Sequence, residues 1–340
     1  MTNRYHRQEL FFTDGRNAQE RLKRARVLIV GCGALGTVSA EQLTRAGVGH
    51  LRIVDRDVVE WTNLHRQIGF TEKDAQARDP KVDALQRHLA QINSEIEVDA
   101  RAVDFNFANA LQLATDCDLL LDGLDNLQSR FLLNDVSYRL GIPWIYCGAI
   151  GGDGHVQYFS GREGPCLRCQ LPELPPAGTI PTCDTHGVVA PATGVAASWQ
   201  SGLALKHLTN PHDTSLAGQK AILSPWRGEA RVVTAEPDPD CAVCVDGKFE
   251  FLTESRADRV TQLCGRKAVQ VLPPDANTGF DLDRVAERLQ RLGHLQRFPQ
   301  LLRFQSEDFL LTLFADGRAV FDGLTDRDLA RSLYARFVGH

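Results

Sequence analysis

Long apolar runs are missing from this chain. None approaches the ~18 residues of a membrane-spanning helix, and residues 1–8 are polar, which speaks against a secretory signal. A basic excess is missing too. The formal net charge is -5 and Lys and Arg are scattered among acids. A general nucleic-acid role, which needs clustered cations to displace counterions, is therefore not expected. There is no internal repeat and no low-complexity tract. What remains is an ordinary soluble composition, hydrophobic 43% and charged 24%, over 340 residues. That length can bury a large core and carry a second, smaller unit.

Cysteine is present in surplus, at nine. Four form two C-x-x-C pairs, Cys166/Cys169 and Cys241/Cys244, and the rest (Cys32, Cys117, Cys147, Cys183, Cys264) are unpaired in sequence. This suits a reducing compartment better than a disulfide framework, so a cytoplasmic protein is expected. Four thiolates make the closed tetrahedral set of a structural zinc site, with no position left for water. With 71 residues between Cys169 and Cys241, the metal would tie distant loops together rather than fold a small finger. A redox pair or buried apolar thiols are the weaker readings. Cys183 precedes a helix and could be a ready thiolate nucleophile, or an inert loop thiol. Cys32 is expected to pack, and Cys117, Cys147 and Cys264 to lie in the core.

Residues 1–25 read as a polar arm ending in a charged helix over 19–24. From residue 27 strands (27–30, 51–54, 96–99, 118–121, 144–147) alternate with helices (34–46, 80–91, 108–114, 127–140), the signature of right-handed crossovers and a parallel sheet covered on both faces. An antiparallel strand over 155–159, an irregular excursion over 161–188, a long helix over 191–208 and a hairpin of 221–225 with 230–234 follow. A separate unit begins near residue 253, with strands at 268–272, 301–304, 310–314 and 319–322 and helices at 282–292 and 326–337. The fold class is thus α/β: a Rossmann-like, mostly parallel sheet with an antiparallel extension and zinc-tied loops, plus a small C-terminal α+β unit. The expected divisions are 1–25, 26–250 and 251–340.

Gly31-Cys32-Gly33-Ala34-Leu35-Gly36 is a glycine turn between strand and helix, where helix N–H groups can approach a phosphate. Alone it is a weak signal, since any tight strand–turn–helix junction resembles it. Asp55 ends the next strand and is placed for ribose hydroxyls. Asn63-Leu64-His65-Arg66-Gln67 lies eight to twelve residues further on. A dinucleotide site has no use for that cluster; a site that breaks a nucleoside triphosphate does. Attack at an α-phosphate spreads charge over its oxygens, and the fixed cations Arg66, Lys81 and Arg7 could stabilise it without proton transfer. Each is otherwise an ordinary surface charge. Asn63 and Gln67 orient phosphates or pack the loop. Asp125, near the carboxyl end of a buried strand, can hold Mg2+ on the triphosphate. Its rival is Asp122, which could instead merely cap the turn.

In order, Arg4-Tyr5-His6-Arg7-Gln8, the glycine turn, Asp55-Arg56-Asp57, Asn63-Leu64-His65-Arg66-Gln67, Pro80-Lys81, Asp125-Asn126, the two C-x-x-C pairs and Thr182-Cys183 before Gly187-Val188 resemble the ThiF/MoeB family, bacterial relatives of ubiquitin-activating enzymes. The match runs from residue 4 to about residue 246. The resemblance implies an ATP pocket of Gly31, Gly33, Ala34, Gly36, Asp55 with Asp57, Asn63, Arg66, Gln67, Lys81, Asp125 and Asn126. It implies Arg66 as catalytic arginine, Asp125 as the Mg2+ aspartate, and Arg7 entering the neighbouring subunit's pocket, hence a homodimer. Zn2+ ligands would be Cys166, Cys169, Cys241 and Cys244, with Cys183 as the crossover cysteine near the carrier's tail. The implied activity is ATP-dependent adenylation of the C-terminal Gly-Gly carboxylate of a ubiquitin-like sulfur carrier, releasing pyrophosphate. A cysteine desulfurase or sulfurtransferase would then supply sulfur for a thiocarboxylate. Ala34 stands where the family often has glycine, and no rhodanese-type domain is visible in the tail. The alternatives are a tRNA-modifying dehydratase of the same superfamily and an NAD-dependent oxidoreductase.

Overall fold

The computed structural model describes residues 3–175, 186–253, 260–262, 267–272, 281–306 and 308–338. They belong to two units, Met1–Ala100 with Phe105–Thr253, and Arg101–Asp104 with Glu254–His340. The first opens with two helices, α1 (His6–Phe11) and α2 (Gly15–Arg24). α1 replaces part of the expected polar arm and α2 begins earlier than expected. α1 buries no side chain, so no apolar periodicity announces it.

β1 (Arg26–Val30) is an apolar run buried from its second residue onward, which calls for neighbours on both sides and cover on both faces. It lies between β2 (His50–Val54) and β4 (Leu119–Asp122), parallel to both. β3 (Glu97–Arg101) lies beyond β2. β5 (Trp144–Ile150) runs parallel to β4, and β6 (Asp153–Phe159), β7 (Gln219–Ser224) and β8 (Glu229–Thr234) continue antiparallel. The order is β3-β2-β1-β4-β5-β6-β7-β8, so the expected parallel sheet with an antiparallel extension is found. The chain leaves β1 toward β2 and β3, then crosses back to β4. The carboxyl ends of β1 and β4 therefore flank the switch point where open α/β sheets bind ligands.

Helices connect these strands: α3 (Gly36–Ala46), α4 (Glu72–Ala77), α5 (Lys81–Ile92), α6 (Ala110–Ala114) and α7 (Leu127–Leu140). α7 has the expected bounds, because Asn126 caps its start by accepting the Ser129 N–H at 2.9 Å and Gly141 ends it at φ +69°. α4 was not expected. Its six residues are too few for a periodic signal, and Thr71 and Asp74 fix it through reciprocal caps. Among the described residues of the irregular excursion lies a one-turn helix, α8 (Leu167–Gln170); Pro181, Thr182, Cys183 and their neighbours over 176–185 lie outside the described residues. α9 (Ala190–Thr209), rich in small residues, packs on β5, β6 and α3. Cys32 and Cys147 are buried as expected, Cys117 is only half-buried because it follows the Asp116 turn at φ +68°, and Cys264 lies outside the described residues. No described helix is long and apolar enough to cross a membrane.

The second unit is an antiparallel sheet in the order β11-β12-β13-β14-β10-β9. Its elements are β9 (Val260–Gln262), β10 (Ala268–Val271), α10 (Leu282–Leu289), β11 (His294–Arg297), β12 (Leu301–Gln305), β13 (Leu310–Phe314), β14 (Ala319–Asp322) and α11 (Arg327–Phe337). Val269, Leu302, Leu311, Phe321, Leu289 and Tyr334 belong to its core. The two edge strands, β9 and β11, are additions to the expected set. One has three residues, and the other is a mostly exposed His-Leu-Gln-Arg with no apolar alternation to give it away.

A Cβ on Gly123 would collide with the Gly31 carbonyl oxygen, whereas one on Gly33 would meet nothing nearer than the Gln67 amide at 3.8 Å. Gly123→Ala is therefore expected to cost about 1–3 kcal/mol, read as a lower urea midpoint, with Gly33→Ala close to wild type. Equal midpoints for the two variants would contradict this packing.

Candidate active site

The site begins with backbone. Gly31 sits at φ +94°, and a Cβ there would come within 2.5 Å of the Gly123 carbonyl oxygen; a Cβ on Gly36 would strike the Gly31 carbonyl. Three glycines thus let the turns after β1 and β4 close on each other under the start of α3. Ala34 lies in the same turn.

Asp55 follows β2 and supports the turn from the side. Its two carboxylate oxygens accept the N–H groups of Cys32 at 2.6 Å and Asp57 at 2.7 Å. Burial raises its carboxyl above the ordinary range, against the pull of Lys81, and neighbouring Asp57 adds to the rise. Lys81 opens α5, buried to 7% exposure. Its backbone N–H donates to the Asp57 carbonyl at 3.0 Å and its Nζ to Asp57 Oδ2 at 3.2 Å. Burial works against the charge, but Asp55, Asp57 and Asp125 outweigh it, so the ammonium is held above its ordinary pKa. Cys32, buried in the turn and facing Asp55, has its thiol pushed well up and is not a nucleophile.

Asn63 ends a short 3-10 turn, Trp61–Asn63, and its Oδ1 accepts the Glu60 N–H at 3.0 Å. The N–H groups of Arg66 and Gln67 both bond back to the Asn63 carbonyl. The Arg66 guanidinium donates to the Thr62 carbonyl at 2.7 Å and lies 2.9 Å from His65 Nε2, with no acidic partner among the described residues. Gln67 is buried beside Gly33, and its Oε1 has no hydrogen-bond partner. A buried acceptor left open beside a glycine turn fits a ligand's hydrogen-bond donor at that spot.

Asp122 and Asp125 have different fates. Asp122, the last residue of β4, is fully buried; it accepts the Leu124 N–H at 2.8 Å and pairs with Arg130 Nε at 2.8 Å. Asp125 is exposed, touched by the Asn126 amide at 3.2 Å, and its charge reaches both Lys81 and Arg130. Asn126 spends its side-chain oxygen on the cap of α7. Glycine turn, Asp55, Asp57, Lys81, Gln67 and Asp125 thus surround one edge of the sheet.

Arg7 is not brought there. Its neighbours pin α1 to the far ends of the crevice helices: Gln8 Nε2 donates to Ala46 O at 2.9 Å, Arg4 to Ile92 O at 3.1 Å, and Asn93 to the Tyr5 hydroxyl at 2.8 Å. Ala46 ends α3, so Arg7 sits roughly 16 Å along that helix from the glycine turn. Cys183 lies outside the described residues; the chain re-enters beside Gly151, past β5, through bonds of Gly151 N–H to Gly187 O and Val189 N–H to Gly151 O.

The sulfurs of Cys166, Cys169, Cys241 and Cys244 all lie within 4.8 Å of one another, with Cys166–Cys241 at 3.5 Å and Cys169–Cys244 at 3.4 Å. A tetrahedron of ~2.3 Å metal–sulfur bonds has edges of about 3.8 Å; the donor set fits zinc. Both Cys-bearing segments hang on α7. Asn134 Oδ1 accepts the Leu167 N–H at 3.0 Å, and Asp135 Oδ2 the Phe251 N–H at 2.9 Å. Sequence reasoning missed these two, Arg130, and Gln200, whose amide donates to the Asp122 and Ile145 carbonyls at 3.0 and 2.8 Å. Their one signal is a polar residue at a helix position whose spacing calls for an apolar one.

A model of the ThiF family matches residues 5–243. The chain belongs to the ThiF family. It is 38% identical over 340 residues, all of both chains, to a Bacillus subtilis protein named sulfur carrier protein ThiS adenylyltransferase. It is 37% identical over 249 residues to the Thermus thermophilus sulfur carrier protein adenylyltransferase, covering 72% of this chain and 91% of that one. The Anopheles gambiae adenylyltransferase and sulfurtransferase MOCS3 is 35% identical over 78% of this chain, which spans 59% of that protein. In fold, the chain is similar to E. coli MccB crystallised with ATP, at a TM-score of 0.63 and 23% identity over 72% of this chain and 75% of MccB.

In this ThiF-family chain, burial lifts the Asp135 carboxyl to about 6. The folded protein therefore holds that proton more tightly than the unfolded chain, whose value lies near 3.8. The stabilisation is complete in acid and is lost as pH rises through about 6. Asp135→Asn should flatten the fall in thermal midpoint over that window and exceed wild type at neutral pH. A wild-type pH profile would contradict this.

Proposed function

We propose that this protein is an ATP-dependent adenylyltransferase that activates the C-terminal Gly-Gly carboxylate of a ubiquitin-like sulfur carrier protein. The observation that carries the reading is Lys81: a buried ammonium held by Asp55 and Asp57 beside a glycine cradle, a cation that a nicotinamide dinucleotide site would leave idle. The full-length likeness to a protein named for ThiS adenylylation supports the choice of acceptor.

On this reading the triphosphate lies over Gly31, Gly33, Ala34 and Gly36, where the Gln67 amide nitrogen, the Gln67 atom nearest Gly33, would donate to it, and Asn63 shapes the turn. Asp55 takes the ribose hydroxyls with lone pairs its backbone bonds leave over. A carboxylate oxygen of the carrier attacks the α-phosphorus; the bond from that phosphorus to the bridging oxygen breaks, and pyrophosphate leaves with the electron pair. No proton need move, so alignment and positive charge do the work. Arg66 and Lys81 would meet the charge that develops, and Asp57 keeps Lys81 in place. Bound Mg2+ would neutralise phosphate oxygens and orient the leaving group; Asp125, exposed and flanked by Asn126, would hold it. Arg7, at the wrong end of its own α3, would serve a neighbouring subunit, which makes the working form a homodimer. Cys183 would stand near the carrier tail, and a cysteine desulfurase or sulfurtransferase would supply sulfur afterwards. Residues 26–250 would form the adenylation domain and 251–340 a separate one, in a cytoplasmic protein.

Zn2+ in the Cys166, Cys169, Cys241, Cys244 set would be structural, with no open position for chemistry. Metal analysis should find zinc stoichiometric with chain, and Cys241→Ser should lose it and unfold at lower temperature. Zinc-free wild type of undiminished stability would contradict the assignment.

Arg66→Ala should keep the far-ultraviolet spectrum and lose carrier-dependent exchange of pyrophosphate into ATP by ~100-fold or more. Undiminished exchange removes Arg66 from the mechanism. Exchange stimulated by tRNA and not by any carrier would replace the acceptor.

A further inference from the structure

Arg130 has no part in the reaction proposed above, yet it is a buried charge only five residues beyond Asp125. Arg130 is 8% exposed, and its guanidinium reaches three acceptors. Nε donates to Asp122 Oδ2 at 2.8 Å, and one terminal nitrogen donates to the Leu124 carbonyl at 2.6 Å and to the Cys147 carbonyl at 2.9 Å. The plane lies over the Tyr146 ring, 4.8 Å from its centre. Asp122 returns the favour by accepting the N–H groups of Leu124 at 2.8 Å and Cys147 at 3.3 Å.

Both backbone polar groups of Leu124 are therefore taken, one by each member of the ion pair. Gly123 is wedged against Gly31 on one side, and Asn126 is committed to the cap of α7 on the other. Asp125 is the exposed residue in the middle of a fixed run. A buried ion pair is seldom the cheapest way to stabilise a fold, because matched apolar residues often do as well or better. A planar fork that holds a carboxylate and two carbonyls at once is something only arginine provides.

We infer that Arg130, through Asp122 and Leu124, is a positioning residue that aims the Asp125 carboxylate at the metal of the bound nucleotide. The inference rests on the reading of Asp125 given above. Loss of the fork should leave the nucleotide's own contacts alone and weaken the hold on the cation, by the ~10-fold or more typical of groups that orient metal ligands.

The test compares wild type with Arg130→Lys, Arg130→Met and Asp125→Asn. Each full-length variant is saturated with a non-hydrolysable ATP analogue and titrated with Mn2+, followed by electron paramagnetic resonance. Binding of the analogue in excess chelator is measured separately. Arg130→Lys and Arg130→Met should bind Mn2+ ~10-fold or more weakly and bind metal-free analogue within twofold of wild type. Weak Mn2+ binding by Asp125→Asn with wild-type binding by the Arg130 variants overturns this inference alone, whatever their thermal midpoints. Wild-type Mn2+ binding by Asp125→Asn overturns the Asp125 reading, and the inference falls with it. If an Arg130 variant does not fold, Asp122→Asn, which keeps the guanidinium and removes its charged partner, is judged by the same criteria.

Discussion

Where β1 and β4 end, the backbones of Gly31 and Gly123 meet so closely that no side chain fits between them. That contact sets the depth of the crevice at the switch point of the sheet. It seats the start of α3 against the turn through Gly36, and it fixes the first residue of the run that leads to Asp125. Around it, side chains do what side chains can: Asp55 ties the turn by the Cys32 N–H, Gln67 fills the space beside Gly33, and Gln200 bridges the end of β4 and the start of β5 from α9. Remove the close approach and these contacts lose their common frame.

The charges are arranged on that frame by environment. Lys81 is a cation whose charge burial disfavours, held charged by Asp55, Asp57 and Asp125. Arg130 is a second buried cation, engaged by Asp122. Arg66 differs from both, with a guanidinium bonded to a carbonyl and a histidine ring and free of acidic partners among the described residues. Lys81 and Arg130 are therefore fixed by carboxylates before any ligand arrives, and of these three cations only Arg66 has none among the described residues. On the proposed reading this is how the site combines a rigid floor with a charge that can follow the leaving phosphate.

Much of this was legible in the sequence because the signals are local. A glycine turn after an apolar strand, an acid at the end of the next, and proline ahead of Lys81 each follow from backbone rules over a few residues, and α7 has the bounds its capping residues imply. The roles of Asp122 and Asp125 could not be separated, because they depend on which carboxylate meets Arg130, a partner eight residues away on another element. α1, α4, β9 and β11 escaped notice for want of length or of an apolar face. Asn134 and Asp135 were invisible for a similar reason: their partners, Leu167 and Phe251, lie on the segments that carry the cysteines. Cys183 falls in residues the structure does not describe.

The central claim is that a protein's terminal carboxylate displaces pyrophosphate from the α-phosphorus of ATP in this crevice. Oxygen-18 in the terminal carboxylate of a Gly-Gly carrier tests it directly. After reaction with enzyme and MgATP, and release of the acyl group by hydroxylamine, the AMP should carry one heavy oxygen, because the carrier's oxygen becomes the one bridging carbon and phosphorus. Unlabelled AMP, or ADP in its place, would contradict the account.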